Sequence, residues 1–334
     1  MLDHHSITKF EETPVIGATL EDLEVTEVEE HLDHALRVNR YNGEARTPEE
    51  FLQDEHAVVQ IDGRLVPTHA GMLMFGRRPQ RFLKHATTSL AHYRNSVINS
   101  GDAIHLYEYG GNVRQQIDRV VAYLVDSMRH GYVLEDGGAQ RQERPQYPML
   151  ALRELTVNAI AHRDYSISES SIRVTMLRNQ IEWVSPGRLP PGVTIETILD
   201  HQFARNSTLL RLLFQRSYVE KMGQGLDTVF AECRRLDLPL PSMRETSNSF
   251  IIGIRGHDVA RTTLTESQLQ IVEILRGQQE PISAQVLADQ LAGPDRTGTK
   301  SVRSIQLDLK VLIDEGLVVR IGQARATTYA IRTA

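Results

Sequence analysis

Between Met149 and Gly256 the apolar residues change period several times, and these changes restrict the fold more than any other feature of the chain. Met149 to Arg163 repeats its apolar positions as a helix does. SIRVTMLRN and QIEWVSPG then alternate as strands joined near Asn179. ETILDHQF, STLLRLLFQRS and GQGLDTVFAECRRLD return to helical spacing between polar or glycine breaks, and FIIGIRG closes the stretch as a strand. A helix, a hairpin, further helices and a last strand make a mixed α/β unit, which we place at 137–256. Polar GGAQRQERPQYP at 137–148 marks its start.

Residues 1–136 precede it as an N-terminal α/β region. Glu21 to Arg37 spaces Leu23, Val28, Leu32 and Leu36 as a surface helix. THAGMLMFGRRPQRFL is an apolar run stopped by Gly76 and Pro79, and ATTSLAHYR follows as a strand. Asn112 to His130 carries Ile117, Val120, Val121, Leu124 and Val125 on one stripe, an amphipathic helix. Beyond 256, a polar linker at 257–264 leads into a last domain at 265–334.

The 334 residues, 40% of them apolar, suffice for two or three cores. A net charge of -6 confines any polyanion contact to a local patch. Cys233 is the single cysteine, which excludes an intrachain disulfide and a cysteine-based zinc site. The N-terminus lacks a basic-then-apolar leader, and no stretch approaches the roughly 18 apolar residues that span a bilayer. The chain therefore reads as a cytoplasmic protein with no membrane role.

Chemistry concentrates on ALRELTVNAIAHRDYS. Glu154 and Asn158 are neighbours on one helix face, with Leu152, Leu155 and Ala159 expected on the other. His162, Arg163 and Asp164 crowd the helix end, where a solvated cap is the plainer reading. SPGRLPPG follows a strand with turn residues, and KMGQGLDTV sets glycines before a helix. Backbone N–H groups at such a helix start attract anions.

In that order the segments RELTVNAIAHRDYS, IEWVSPGRLPPG, RNSTLLRLLFQR and YVEKMGQGLDTV resemble the divergent GHKL-type ATPase module, as does the preceding HAGMLMFGRRPQRF. That module occurs in bacterial transcriptional regulators related by label to ATP-dependent RecG-type helicases. The resemblance implies a two-layer Bergerat α/β sandwich that binds ATP and Mg²⁺. It implies that Glu154 orients or activates water and that Asn158 holds Mg²⁺ against the phosphates. Gly187 would lie under the base, and Gly223 and Gly225 would line the phosphates. His162, Arg163, Arg205 and Asn206 would complete the nucleotide site. Ser185 stands where such modules carry an aspartate that reads adenine. Longer members begin with a Schlafen-like, AlbA-type domain, of which 1–136 would be a remnant or downstream part. A P-loop is absent: GPDRTGTKS has one residue too many between Gly298 and Lys300.

The last domain reads as three helices and a hairpin, the layout of a winged helix-turn-helix. Lys300, Ser301, Arg303 and Ser304 would face double-stranded DNA, with Arg320 and Arg325 of the wing on phosphates. A winged helix used for protein contact is the alternative. The reading that unites these parts is a DNA-binding regulator, expected to be a homodimer, with a nucleotide-binding module. Alternatives are a Mg²⁺-dependent ATPase in DNA processing or defence, and a scaffold with a degenerate nucleotide site.

Overall fold

The computed structural model describes residues 9–128, 130–134, 141–201, 203–220, 225–257, 265–278, 280–291, 301–314, 317–322 and 327–331. The chain divides into two compact units, one of residues 1–128 with 147–256 and one of 129–146 with 257–334.

The first unit begins with α1 (Val25–Arg37), α2 (Pro48–Asp54), β1 (Val58–Ile61), β2 (Arg64–Pro67) and α3 (His69–Phe75). On α1 the buried stripe is Val28, His31, Leu32 and Ala35. Leu23 is buried just before the helix, and Leu36, expected on the stripe, is 43% exposed. His31 is closed in by Phe51 and Phe75, and its Nε2 lies 3.1 Å from Gln215 Oε1. Burial holds its imidazole down to about 3 from an ordinary 6.5. The unfolded chain therefore takes up this proton first as pH falls below 6.5. Stability contributed by neutral His31 is complete above 6.5 and declines toward pH 3, by about 1.4 kcal/mol per pH unit. Denaturant titrations at pH 7 and pH 5 should show a smaller loss in His31→Phe than in the parent chain; equal losses would rule this group out.

Next come β3 (Thr88–Tyr93), β4 (Ala103–Tyr109) and α4 (Val113–Ser127). Asn112 caps α4 by accepting from Gln115 N, and Ile117, Val120 and Leu124 are buried as the stripe requires. After β5 (His130–Leu134) and β6 (Arg141–Pro145), a hairpin of the second unit, the chain returns with α5 (Met149–Ala161), β7 (Ile172–Met176) and β8 (Gln180–Pro186). Then follow α6 (Ser207–Gln215), α7 (Gly225–Arg235), β9 (Ser242–Glu245) and β10 (Ser249–Arg255).

Six strands form one sheet in the order β4-β3-β7-β8-β10-β9. The β3–β7 pair is parallel and the other pairs are antiparallel. The fold is thus mixed α/β, and strands from residues 88–109 share a sheet with those from 172–255. α5 packs against α4, α7 and β8, which explains why Ala151, Leu152, Leu155, Val157, Ala159 and Ile160 are buried around its circumference. Trp183 Nε1 on β8 donates to Thr156 Oγ1 at 3.1 Å, fixing α5 to the sheet.

ETILDHQF does not form the expected helix. Its described residues make only a short 3-10 turn at Ile198–Asp200, because the apolar side chains of Ile198, Leu199 and Phe203 turn toward a cavity instead of sharing a packed helix face. The start of α6 is capped from far away: Glu11 accepts from Thr208 N and Leu209 N, both at 3.0 Å.

In the second unit α8 (Glu266–Arg276), α9 (Ala284–Leu291) and α10 (Val302–Asp314) precede β11 (Val318–Ile321) and β12 (Thr328–Ile331). Ile271, Leu275, Leu287, Ile305, Leu309 and Val318 make its core. Thr265 and Gln268 form a capping box on α8, and Asp308 of α10 accepts from Ser267 Oγ and Gln268 Nε2. Three helices and an antiparallel hairpin are present as the periodicity indicates. Residues 258–264 of the expected linker, and 293–300 of GPDRTGTKS, lie outside the described residues. Among those described, no helix is long and apolar enough to cross a membrane.

Candidate functional site

A cavity of about 440 Å³ opens beside α5 in the first unit. Glu154, Asn158 and His162 of α5 line it together with Gly187, Arg205 and Gly225. Six residues singled out from four separate stretches of sequence thus meet around one space. Leu155 and Ala159, expected on the opposite face of α5, line it as well. A cavity that reaches around the helix accounts for this.

The end formed by α5 and α7 is polar. Gly225 is the first residue of α7, and a Cβ there would lie 2.5 Å from Glu154 Oε2 and 3.1 Å from Asn158 Nδ2. Only the bare Cα lets the helix start approach this closely. The Glu154 side chain has no hydrogen-bond partner among the described residues. Burial pushes its carboxyl up from 4.5; Arg153 pulls it back and Glu220 adds to the rise. Gly223 lies outside the described residues.

The opposite end is built on the turn after β8. Gly187 has φ +110, and a Cβ would come 2.7 Å from Asp164 Cβ, so both conformation and space demand glycine. Ser185 Oγ donates to Ala159 O at 2.8 Å. Arg205 donates to Asp164 Oδ2 at 3.0 Å and to Arg188 O, holding the 188–205 segment to the turn. Both partners of the ion pair are partly exposed, so it contributes about 1 kcal/mol at most. His162 ends α5, and its imidazole has no hydrogen-bond partner among the described residues. It faces the cavity and is half-buried. Burial, with help from the Arg205 charge, holds it down to about 4, so it is neutral at pH 7.

Two expected site residues point elsewhere. Arg163 is 2% exposed and donates to Ile167 O and Ser170 O, with its guanidinium 4.6 Å from the Tyr165 ring centre. Asn206 is buried and donates to Ala161 O and Arg163 O at 2.9 and 2.8 Å, fastening the end of α5. Neither lines the cavity.

Sequence reading missed the apolar walls: Trp183 and Ile252 from the sheet, and Leu199 and Phe203 from the covering segment. Phe203 is 47% exposed, as expected of an apolar residue over an opening. The available signal was the string of apolar residues in ETILDHQF, whose weak helical context allowed another use.

In the second unit Ser301 accepts from Ser304 N and caps α10, and Arg303 is exposed on its first turn. Arg320 is exposed on β11 and donates to Thr327 Oγ1 at 3.3 Å. Lys300 and Arg325 lie outside the described residues.

Residues 169–254 match the ATPase-like family model described as "Putative ATP-dependent DNA helicase recG C-terminal". The matched stretch runs from just before β7 to the end of β10. This part of the chain is therefore similar to an ATPase-like, nucleotide-binding type of domain; α5, with Glu154 and Asn158, precedes the match. Among solved structures, the DIP2311 protein from Corynebacterium diphtheriae is similar in fold, with a TM-score of 0.59 and 20% identity over 97% of this chain. The chain spans 64% of that protein's length. No curated protein matches the chain.

Proposed function

We propose that the chain is a DNA-binding transcriptional regulator whose GHKL-like module binds an ATP-type nucleotide with Mg²⁺. In this reading a cytoplasmic homodimer grips double-stranded DNA through C-terminal winged helices, and the nucleotide acts by unequal affinity for two arrangements of the dimer. One observation carries the proposal: a single cavity unites Glu154 and Asn158 with a glycine-opened helix start and the glycine turn after β8.

The residues fit the group. Among the described residues no three His, Cys, Asp or Glu side chains cluster as an all-protein metal cage. Mg²⁺ needs no such cage, since phosphates and waters fill most of its octahedron. The Asn158 amide oxygen would hold the ion, which when bound supplies charge neutralisation at the phosphates. The α7 N–H groups would meet phosphate oxygens. Arg303 and Ser304 on the first turn of α10, with Arg320 on the hairpin, support the DNA contact.

A thermal-shift series with ATP, ADP and GTP, each with and without Mg²⁺, tests the reading. A ligand at 100 times its Kd stabilises the folded chain by about 2.7 kcal/mol. The expected result is a Mg²⁺-dependent rise in Tm. A flat series would favour the scaffold with a degenerate site, the reading to which Ser185 lends support.

Glu154 favours a second reading, a Mg²⁺-dependent ATPase in DNA processing or defence. A half-buried carboxylate whose pKa desolvation raises is a better proton acceptor than an exposed one. If the chain turns over ATP, Glu154→Gln should lower kcat by roughly 10²- to 10⁴-fold while nucleotide still raises Tm. Unchanged turnover in Glu154→Gln would remove this residue from the chemistry.

A further inference from the structure

The cavity has two unlike ends. Its acidic lining residues are Glu154 and Asp227, and both belong to the end at α7. That end, with a helix start and the Asn158 amide, suits phosphates and their ion. A nucleotide seated there would carry its base to the remaining lining, which includes Leu155, Trp183, Phe250 and Ile252 with Ser185 and Gly187. The edge of the base then meets the groups at that far end.

Those groups are mostly donors. Arg205 lies close by, its guanidinium carbon 3.6 Å from the Cβ position of Gly187, and its two described hydrogen bonds leave further N–H groups over. Neutral His162, one turn beyond Ala159, carries one N–H and has no described partner. The acidic group nearest this end is Asp164, and it is spent: Oδ1 accepts from Ser166 N and Oγ, and Oδ2 accepts from Arg205. The Ser185 hydroxyl donates its one hydrogen to Ala159 O and keeps only the lone pairs of a neutral oxygen as acceptors.

We propose that this end of the cavity selects a purine bearing a 6-oxo group, as in guanine or hypoxanthine, over adenine. The inference rests on the nucleotide reading above and adds the identity of the base. Adenine presents an amino donor at position 6, which opposes the Arg205 guanidinium donor to donor. An oxo group there accepts from Arg205 and from His162, while the ring N–H it brings with it donates to the Ser185 lone pair. A charged donor left facing an amino group gains no hydrogen bond from it, and that difference sets the preference.

Inosine and adenosine triphosphates differ only at this edge, so their comparison is the cleanest test. Calorimetric titration of the full chain in Mg²⁺ should give inosine and guanosine triphosphates roughly 10- to 100-fold tighter binding than ATP. In Arg205→Met the ratio of inosine to adenosine affinity should fall toward one. Because the ratio is read, a general loosening of the 188–205 segment, which weakens both ligands alike, does not mimic the result. ATP binding as tightly as inosine triphosphate, or an unchanged ratio in Arg205→Met, overturns the inference and leaves the nucleotide reading standing. No binding by any of the three overturns the nucleotide reading itself.

Discussion

Arg163→Ala should destabilise the first unit by about 3–5 kcal/mol, a larger loss than any single surface change produces. The side chain is among the largest that are fully buried, and its guanidinium donates to Ile167 O and Ser170 O. Hydrogen bonds to a charged group contribute about 1.5–3 kcal/mol each, and truncation also empties a long, packed volume over the Tyr165 ring. Burial lowers the Arg163 pKa below that of a free guanidinium, which marks the cost of holding the charge there, and Tyr165 and Asp164 work the other way. Arg205→Ala is the contrast: its ion pair with Asp164 is partly exposed, so about 1 kcal/mol should be lost. Urea denaturation of both variants makes the comparison. A loss below about 1 kcal/mol in Arg163→Ala, accompanied by weakened nucleotide binding, would return Arg163 to the ligand-contact role that its place in the sequence suggests.

That reversal shows what local pattern can and cannot carry. The amphipathic helix α4, the helices α8 and α10 and the hairpin of β7 and β8 are legible because their information is short-range: apolar period, caps and turns. The meeting of Glu154, Asn158, Gly187 and Gly225 was readable as an ordered set of segments. Arg163 and Asn206 point away from the cavity because direction is set by partners outside the motif; Asn206 turns to the carbonyls of Ala161 and Arg163 at the C-terminal end of α5. The same holds for β3 and β4. Nothing local in ATTSLAHYR specifies a parallel pairing with β7, which only the assembled sheet supplies. Glu11 caps α6 across 197 positions, a contact for which no spacing rule exists. The helical spacing of ETILDHQF is not realised, because the cavity that Ile198, Leu199 and Phe203 line offers a competing place for burial.

Substitution at Gly225 separates packing from propensity, because the two predict opposite signs. In an unhindered helix Gly→Ala stabilises by about 1 kcal/mol, since alanine loses less backbone freedom on folding. Gly225 opens α7 without a positive φ, so its conformation alone would accept alanine. The added Cβ, however, falls 2.5 Å from Glu154 Oε2 and 3.1 Å from Asn158 Nδ2. A carboxylate can swing aside only by giving up its place at the helix start, and α5 itself cannot yield, being packed against α4, α7 and β8. Gly225→Ala is therefore expected to destabilise, by about 1–3 kcal/mol, in spite of its better propensity. Gly225→Val, with two further methyl groups aimed at the same oxygen, should lower nucleotide affinity by roughly 100-fold or more, because it fills the space in which a phosphate would meet the α7 N–H groups. Calorimetry and urea denaturation on the pair read the two effects apart. A Gly225→Ala chain that is more stable than the parent and binds nucleotide equally well would mean that α7 does not rest on Glu154 in solution, and the polar end of the cavity would then have to be rebuilt from other residues.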